Sequence, residues 1–244
     1  MTEWATLSDA CGPAEHVPVL LERFAGDPSG VLSELMDHLC PQLDTAFSAS
    51  FAALPRLAEI AASCRPDDLP SVLEAAGAIA SCAPGLSEVG GPLDVFSAPL
   101  AVLHQLTDEC LSRTTAVDDY VVLLQSLLSF EGVEVWDRCL EGLATGEYEV
   151  DCPYCGVNLC VVIEADDCFC CSDDYASGDV LRSPLRPAAE GDLEDLPRRL
   201  HDRATADGQT DLARGVPYLF GRATCTDCST EFTVADRVKA RWIP

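Results

Sequence analysis

Eight of the chain's 14 cysteines lie between residues 152 and 228, and four of these come as two Cys-x-x-Cys pairs. Cys152 and Cys155 sit in "DCPYCG" (151–156), and Cys225 and Cys228 in "TCTDCS" (224–229). A tight turn carrying two soft thiolates aims both sulfurs at one point. Two such turns supply the tetrahedral ligand set of zinc, with sulfurs about 2.3 Å from the ion. Gly156, directly after the first pair, can take the positive φ that closes such a turn; Ser229 holds the equivalent place and fits it less well. The spacing therefore assigns Cys152, Cys155, Cys225 and Cys228 to one Zn2+ ion. With all four positions taken by cysteine, none remains for water, and the expected role of the ion is structural.

The first pair also has a second reading. "CPYC" resembles the active site of glutaredoxins letter for letter. Thiol–disulfide exchange needs its nucleophile at a helix N-terminus, where the dipole favours the thiolate. Here the pair leads into "GVNLCVVIE", a strand-like run, and the redox reading gives Cys225 and Cys228 no task. A redox centre at Cys152 and Cys155 stays as the alternative. The 69 residues between Cys155 and Cys225 exceed the ordinary ribbon spacing of about 15–20. Loop closure grows only logarithmically, so the excess costs about 1 kcal/mol, against on the order of 10 kcal/mol from a structural metal. Cys160 and the "CFCC" run (Cys168, Cys170, Cys171) do not read as a tight-turn motif, although Cys168 and Cys171 stand three apart, and the adjacent Cys170 and Cys171 point apart. They read as half-buried strand thiols, with a second thiolate site as the other possibility. The six cysteines of the first 140 residues (Cys11, Cys40, Cys64, Cys82, Cys110, Cys139) read as small buried hydrophobes.

No catalytic constellation accompanies the cysteines. Of the four histidines, His16, His38, His104 and His201, none falls in a His-Glu-x-x-His pattern or beside a nucleophile. His38, next to Asp37, and His104, in mid-helix, read as packed or solvent-facing. There is no Gly-x-Ser-x-Gly, no P-loop and no Gly-x-Gly-x-x-Gly. Asp67-Asp68 and Asp118-Asp119 open predicted helices, where they complement the dipole; Asp166-Asp167 is a third such acidic pair. The expectation is a protein that is not an enzyme.

The elements that must position the cysteines differ along the chain. Residues 1–145 read as successive amphipathic helices with Pro, Gly and Asp between them. "EHVPVLLERFAG" puts Val17, Leu20, Leu21 and Phe24 on one stripe, and "PSGVLSELMDHLC" does so with Val31, Leu32, Leu35, Met36 and Leu39. "LPRLAEIAASC", "DDLPSVLEAAGAIASC", "PLDVFSAPLAVLHQLTDECL", "VDDYVVLLQSLLSFEG" and "VEVWDRCLEGLATG" continue the rhythm. Short connections imply antiparallel neighbours. After Gly146, "EYEVDC" and "NLCVVIE" read as strands around the first cysteine pair. "DLEDLPRRLHDRATADG" and "TDLARGVPYLFG" read as a helix pair, and "EFTVADRV" as a closing strand. The fold class is mainly α. An antiparallel α-hairpin stack over residues 1–145 precedes a small β zinc ribbon over 146–244, split by a helical insertion at about 190–220.

"EWATLSDACGPAEHVPVLLERFAGDP" followed by "FSASFAALPRLAEIA" resembles the HEAT-like α-repeat proteins common in actinobacteria. In these a helix with Val-Pro-x-Leu-Leu precedes one with Ala-x-x-x-x-Pro-x-Leu. "GEYEVDCPYCGVNLCVVI" and "YLFGRATCTDCSTEF" resemble the zinc-ribbon tail that some of them bear. The resemblance implies an α-solenoid; such proteins are mostly of unknown role, and some are proposed immunity factors against toxins. Stacked α-hairpins present a long concave surface that suits protein recognition.

Charge narrows the partners. The net charge is −26, with 24 acidic residues against 5 basic ones in residues 1–150 and 17 against 10 in the remainder. Such a surface repels phosphate backbones and anionic membranes, and attracts a basic protein. Arg222, Arg237, Lys239 and Arg241 make only a small positive cluster, so direct nucleic-acid binding is not expected. No run of about eighteen apolar residues is present for a membrane span. The start, Met1-Thr2-Glu3-Trp4, is acidic where a secretory signal is basic, so the expected location is the cytoplasm. Together these features describe a non-catalytic, acidic protein-binding module with structural zinc.

Overall fold

A computed structural model describes residues 2–83, 96–165, 167–172, 174–176 and 179–242. The described residues are mainly helical, with ten α-helices and small antiparallel sheets. None of these helices is long and apolar enough to cross a membrane. The chain divides into two compact units: Met1–Thr114 with Val122–Arg138, and Thr115–Val121 with Cys139–Pro244.

After a 3-10 turn at Trp4–Thr6, the first unit forms an element that periodicity does not announce, a minimal hairpin of β1 (Ser8–Asp9) and β2 (Gly12–Pro13). The helices then fall where periodicity places them. Helix α1 (Val17–Gly26) carries proline in its first turn, where no N–H is missed, and buries Val17, Leu20, Leu21 and Phe24. Helix α2 (Pro28–Leu39) is capped by the Asp27 carboxylate, which accepts from the Gly30 N–H at 3.1 Å. With one residue between them, the two helices run antiparallel, and Arg23 on one bonds Glu34 on the other through both terminal guanidinium nitrogens at 2.7 Å.

Helix α3 (Ser48–Ser63) starts earlier than the stripe Leu54, Leu57, Ile60, Ala61 indicates and carries Pro55 inside it. Helix α4 (Leu69–Ser81) buries Val72, Leu73, Ala76 and Ile79. Helix α5 (Ser97–Leu111) realises the later part of its expected segment; the expectation for Pro92–Val95 lies outside the described residues. Helix α6 is Val117–Phe130, with its first residues belonging to the second unit.

The helix expected over "VEVWDRCLEGLATG" does not form as a whole. Gly132 and Val135 both take positive φ, at 71° and 74°, which an α-helix cannot continue through. Trp136, Asp137, Cys139 and Leu140 are all buried although the chain is not helical there. Only a short α7 (Gly142–Thr145) survives, ended by Gly146 at φ 82°. Of the six scattered cysteines, Cys40, Cys82 and Cys139 are buried as expected, whereas Cys11 is exposed and Cys64 and Cys110 are half-buried.

The second unit is built on an antiparallel meander of β3 (Glu147–Asp151), β4 (Asn158–Ile163), β5 (Cys168–Cys171) and β6 (Ser183–Pro184). Helices α8 (Asp195–Ala206) and α9 (Thr210–Leu219) lie within the expected insertion and bury Leu200, Ala204, Leu212, Val216 and Leu219. A second hairpin pairs β7 (Arg222–Thr224) with β8 (Glu231–Thr233). The expected closing strand ends there, because Val234, Ala235 and Val238 form a helical stripe and the chain continues as α10 (Val234–Trp242). Asp236 in its first turn and Lys239 and Arg241 in its last suit that helix's dipole.

Candidate metal centre

Each Cys-x-x-Cys pair is the turn of a hairpin. Strands β3 and β4 end their ladder at the pair Asp151 and Asn158, and β7 and β8 end theirs at Thr224 and Glu231. The six residues enclosed in each case fold alike. Cys152 N–H donates to the Val157 carbonyl at 2.9 Å, and Cys225 N–H to that of Thr230 at 2.9 Å. Gly156 N–H returns to the Cys152 carbonyl at 3.0 Å, and Ser229 N–H to that of Cys225 at 3.0 Å. Gly156 has φ 72° and Ser229 φ 60°, so both turns close through the left-handed region.

What brings the two turns together is backbone pairing across the two ends of the insert. Arg186, just past β6, exchanges hydrogen bonds with Arg222 at the start of β7, at 2.9 and 2.8 Å. The approach is close enough that a side chain on Gly221 would strike the Arg186 carbonyl oxygen and come within 2.8 Å of that of Pro217. Helix α10 then folds back on β3: Arg237 Nε donates to the Asp151 carbonyl at 2.8 Å and Arg241 pairs with Glu149 at 3.0 Å. The Thr226 hydroxyl, inside the second turn, bonds Ser172 Oγ at 3.1 Å.

The four sulfurs converge as a result. Cys152 Sγ lies 3.6 Å from Cys228 Sγ, Cys155 Sγ lies 3.8 Å from Cys225 Sγ, and all four are within 4.8 Å of one another. A regular tetrahedron with zinc–sulfur bonds of about 2.3 Å has edges of about 3.8 Å. The donor set and its spacing therefore fit one zinc ion. Cys152 and Cys225 are buried, Cys228 is half-buried and Cys155 is exposed. Their thiols are pulled apart in acidity. The Thr230 hydroxyl, 3.2 Å from the sulfur, and the Thr230 N–H draw Cys228 down to about 6. Burial pushes Cys225 up to about 12. Four thiols this close cannot all ionise in one another's field; a divalent cation among them removes that penalty.

The other sequence candidates are placed differently. Cys152 comes directly after a strand, and the residues after Cys155 lead into β4, so no helix N-terminus stands at the "CPYC" turn. Cys160 packs with Val162, Phe169 and Cys171 in an apolar cluster, and burial pushes both Cys160 and Cys170 up to about 12. Among the described residues these cysteines do not assemble a ligand set of three. Arg222, Arg237 and Arg241 are engaged with Glu231, Asp151 and Glu149.

A second convergence has no signature in the sequence. Asp9, His16 and His38 direct three ligand atoms to one place, although no motif spacing links those positions. Comparison of the chain with protein families, with curated proteins and with solved structures finds no match.

Proposed function

We propose that this protein is a non-catalytic, acidic protein-binding module whose C-terminal part is a zinc ribbon interrupted by a helical insert. The observation that supports it most is the convergence of four cysteines from two like-built turns. Such a ligand set saturates zinc and leaves it a bracing role. The N-terminal helices, antiparallel in their first pair, are consistent with the HEAT-like stack that the sequence resembles, and stacked α-hairpins present extended surfaces to protein partners. The net charge of −26 favours encounter with a basic protein and disfavours nucleic acid and anionic membrane. An immunity or regulatory factor for a basic partner, cytoplasmic in location, fits these features.

Native mass spectrometry of the untagged chain from its source cells tests this reading. The expected result is one zinc ion that survives a weak chelator and a co-purified basic protein whose complex weakens steeply as salt rises. A chain without thiol-bound zinc, or a complex indifferent to salt between low and moderate ionic strength, counts against it. The rival reading, thiol–disulfide exchange at Cys152 and Cys155, predicts that these thiols react with an alkylating agent before any metal is stripped.

A further inference from the structure

The β1–β2 hairpin is so tight that Asp9 pairs directly with Gly12, which takes φ 127°. This turn tucks the Asp9 side chain under the surface, where its exposure is 0%. The Cys11 N–H donates to Asp9 Oδ1 at 2.8 Å and fixes the carboxylate plane, leaving Oδ2 to face elsewhere. The Ala10 N–H donates to the His38 carbonyl at 3.0 Å and ties the hairpin to the last turn of α2. His16 stands at the N-cap of α1. Because α1 and α2 run antiparallel, the start of one meets the end of the other, and two histidines 22 positions apart come side by side.

The result is a triangle of donor atoms. His16 Nε2 and His38 Nδ1 each lie 2.9 Å from Asp9 Oδ2, and 3.1 Å from one another. The rings meet edge to face, with centroids 4.6 Å apart and planes at 61°. Hydrogen bonds alone serve this arrangement poorly. If both nitrogens carry protons, the two protons crowd onto one carboxylate oxygen; if one does not, its lone pair faces that same anion. A buried carboxylate also needs a positive partner, and the side chains that meet the Asp9 carboxylate are the two imidazoles.

We infer that Asp9, His16 and His38 form a second metal site, binding a divalent first-row transition cation through one carboxylate and two imidazoles with its solvent side open. A cation about 2.0–2.1 Å from each of the three atoms stands about 1 Å above their plane and sees them at mutual angles of about 90–100°. Those are the angles of one face of an octahedron, the arrangement in which two histidines and a carboxylate hold a metal and leave the opposite face free. Exposure rises from the carboxylate outward, 0% for Asp9, 23% for His38 and 45% for His16, so the open face looks toward water. The oxygen and nitrogen donors distinguish this site from the tetrathiolate, which prefers soft metals and keeps no position open.

The test is a cobalt titration of the full chain after dialysis against a weak chelator, which leaves thiolate-bound zinc in place. Cobalt(II) is expected to bind one further equivalent with weak d–d absorption and no thiolate-to-metal charge transfer, and to displace the imidazole signals of His16 and His38 in the NMR spectrum. His16→Gln, at the more exposed position, and His38→Gln should each weaken that binding at least about tenfold, while His104→Gln, whose ring lies against Glu131, should leave it unchanged. Cobalt that binds only with thiolate charge transfer overturns the inference. So does a His16→Gln chain that titrates like the original, or saturable binding that leaves both imidazole signals in place.

Discussion

Gly156 and Ser229 occupy the same place in two turns that lie 73 positions apart, each donating its N–H at 3.0 Å to the carbonyl of the first cysteine of its pair. They do so at φ 72° and 60°. Glycine adopts that conformation freely, and serine does so against its Cβ. The two positions thus form a matched experiment. Ser229→Gly should stabilise the metal-loaded protein by up to about 1 kcal/mol and Gly156→Ala should cost about 1 kcal/mol. Among the described residues, no atom beyond its chain neighbours stands within 4 Å of a Cβ at Gly156, so the thermal melt of Gly156→Ala reads backbone strain, and that of Ser229→Gly is set against it.

Metal removal should expose the four thiols together. With the ion bound, Cys152, Cys155, Cys225 and Cys228 are expected to resist alkylation while the exposed Cys11 reacts. After a strong chelator all four should label, and the β7–β8 hairpin should lose its amide protection. A structural zinc contributes on the order of 10 kcal/mol to folding, so Cys225→Ser should both abolish thiolate-bound zinc and lower the melting temperature. Mass spectrometry of the labelled peptides checks the first point and calorimetry the second.

Asp137 supplies a pH dependence. Burial pushes its carboxyl up to about 6, against the pull of neighbouring Arg138 and nearby backbone N–H groups. A carboxyl that is harder to ionise in the folded chain than in the unfolded one binds more protons when folded. Stability from this group is therefore intact below about pH 4 and declines as pH rises toward 6. Asp137→Asn should raise stability at neutral pH by about 1–3 kcal/mol, with the gain vanishing in acid. Urea unfolding of both proteins at pH 4 and pH 7 decides it.

Helices α4 and α6 touch where Gly77 meets Ser126. A methyl group added at Gly77 would come 2.8 Å from the Ser126 Cα and closer still to its side chain. Because backbone stands in the way, side-chain rotation cannot relieve the clash. Gly77→Ala should destabilise by about 2–3 kcal/mol despite the better helix propensity of alanine. A denaturant midpoint that rises instead would show that the two helices part easily there.

Much of the chain is legible where the signal is local. The stripe Val17, Leu20, Leu21, Phe24 is buried as its period demands, and so is Leu212 with Val216 and Leu219. The segment 133–141 misleads because its apolar residues imitate a helix in number, while Gly132 and Val135 turn the backbone out of helical space. In "EFTVADRV" the β-branched start suggests a strand to the end, although Val234, Ala235 and Val238 lie on one helical face. Period-2 and period-3.6 patterns cannot be told apart over so few residues.

The amino-acid sequence alone determined the two Cys-x-x-Cys turns, since each is a short-range structure of six residues whose spacing already carries its geometry. It also determined the acidity and most of the helices. Only the tertiary structure decided that the two turns share a centre, because that rests on the Arg186 and Arg222 backbone pairing across the two ends of the insert. The same holds for Asp9, His16 and His38, which a hairpin and an antiparallel helix pair carry to one point. A ligand set drawn from separate elements leaves no spacing to read, because its distances are set by how the elements pack.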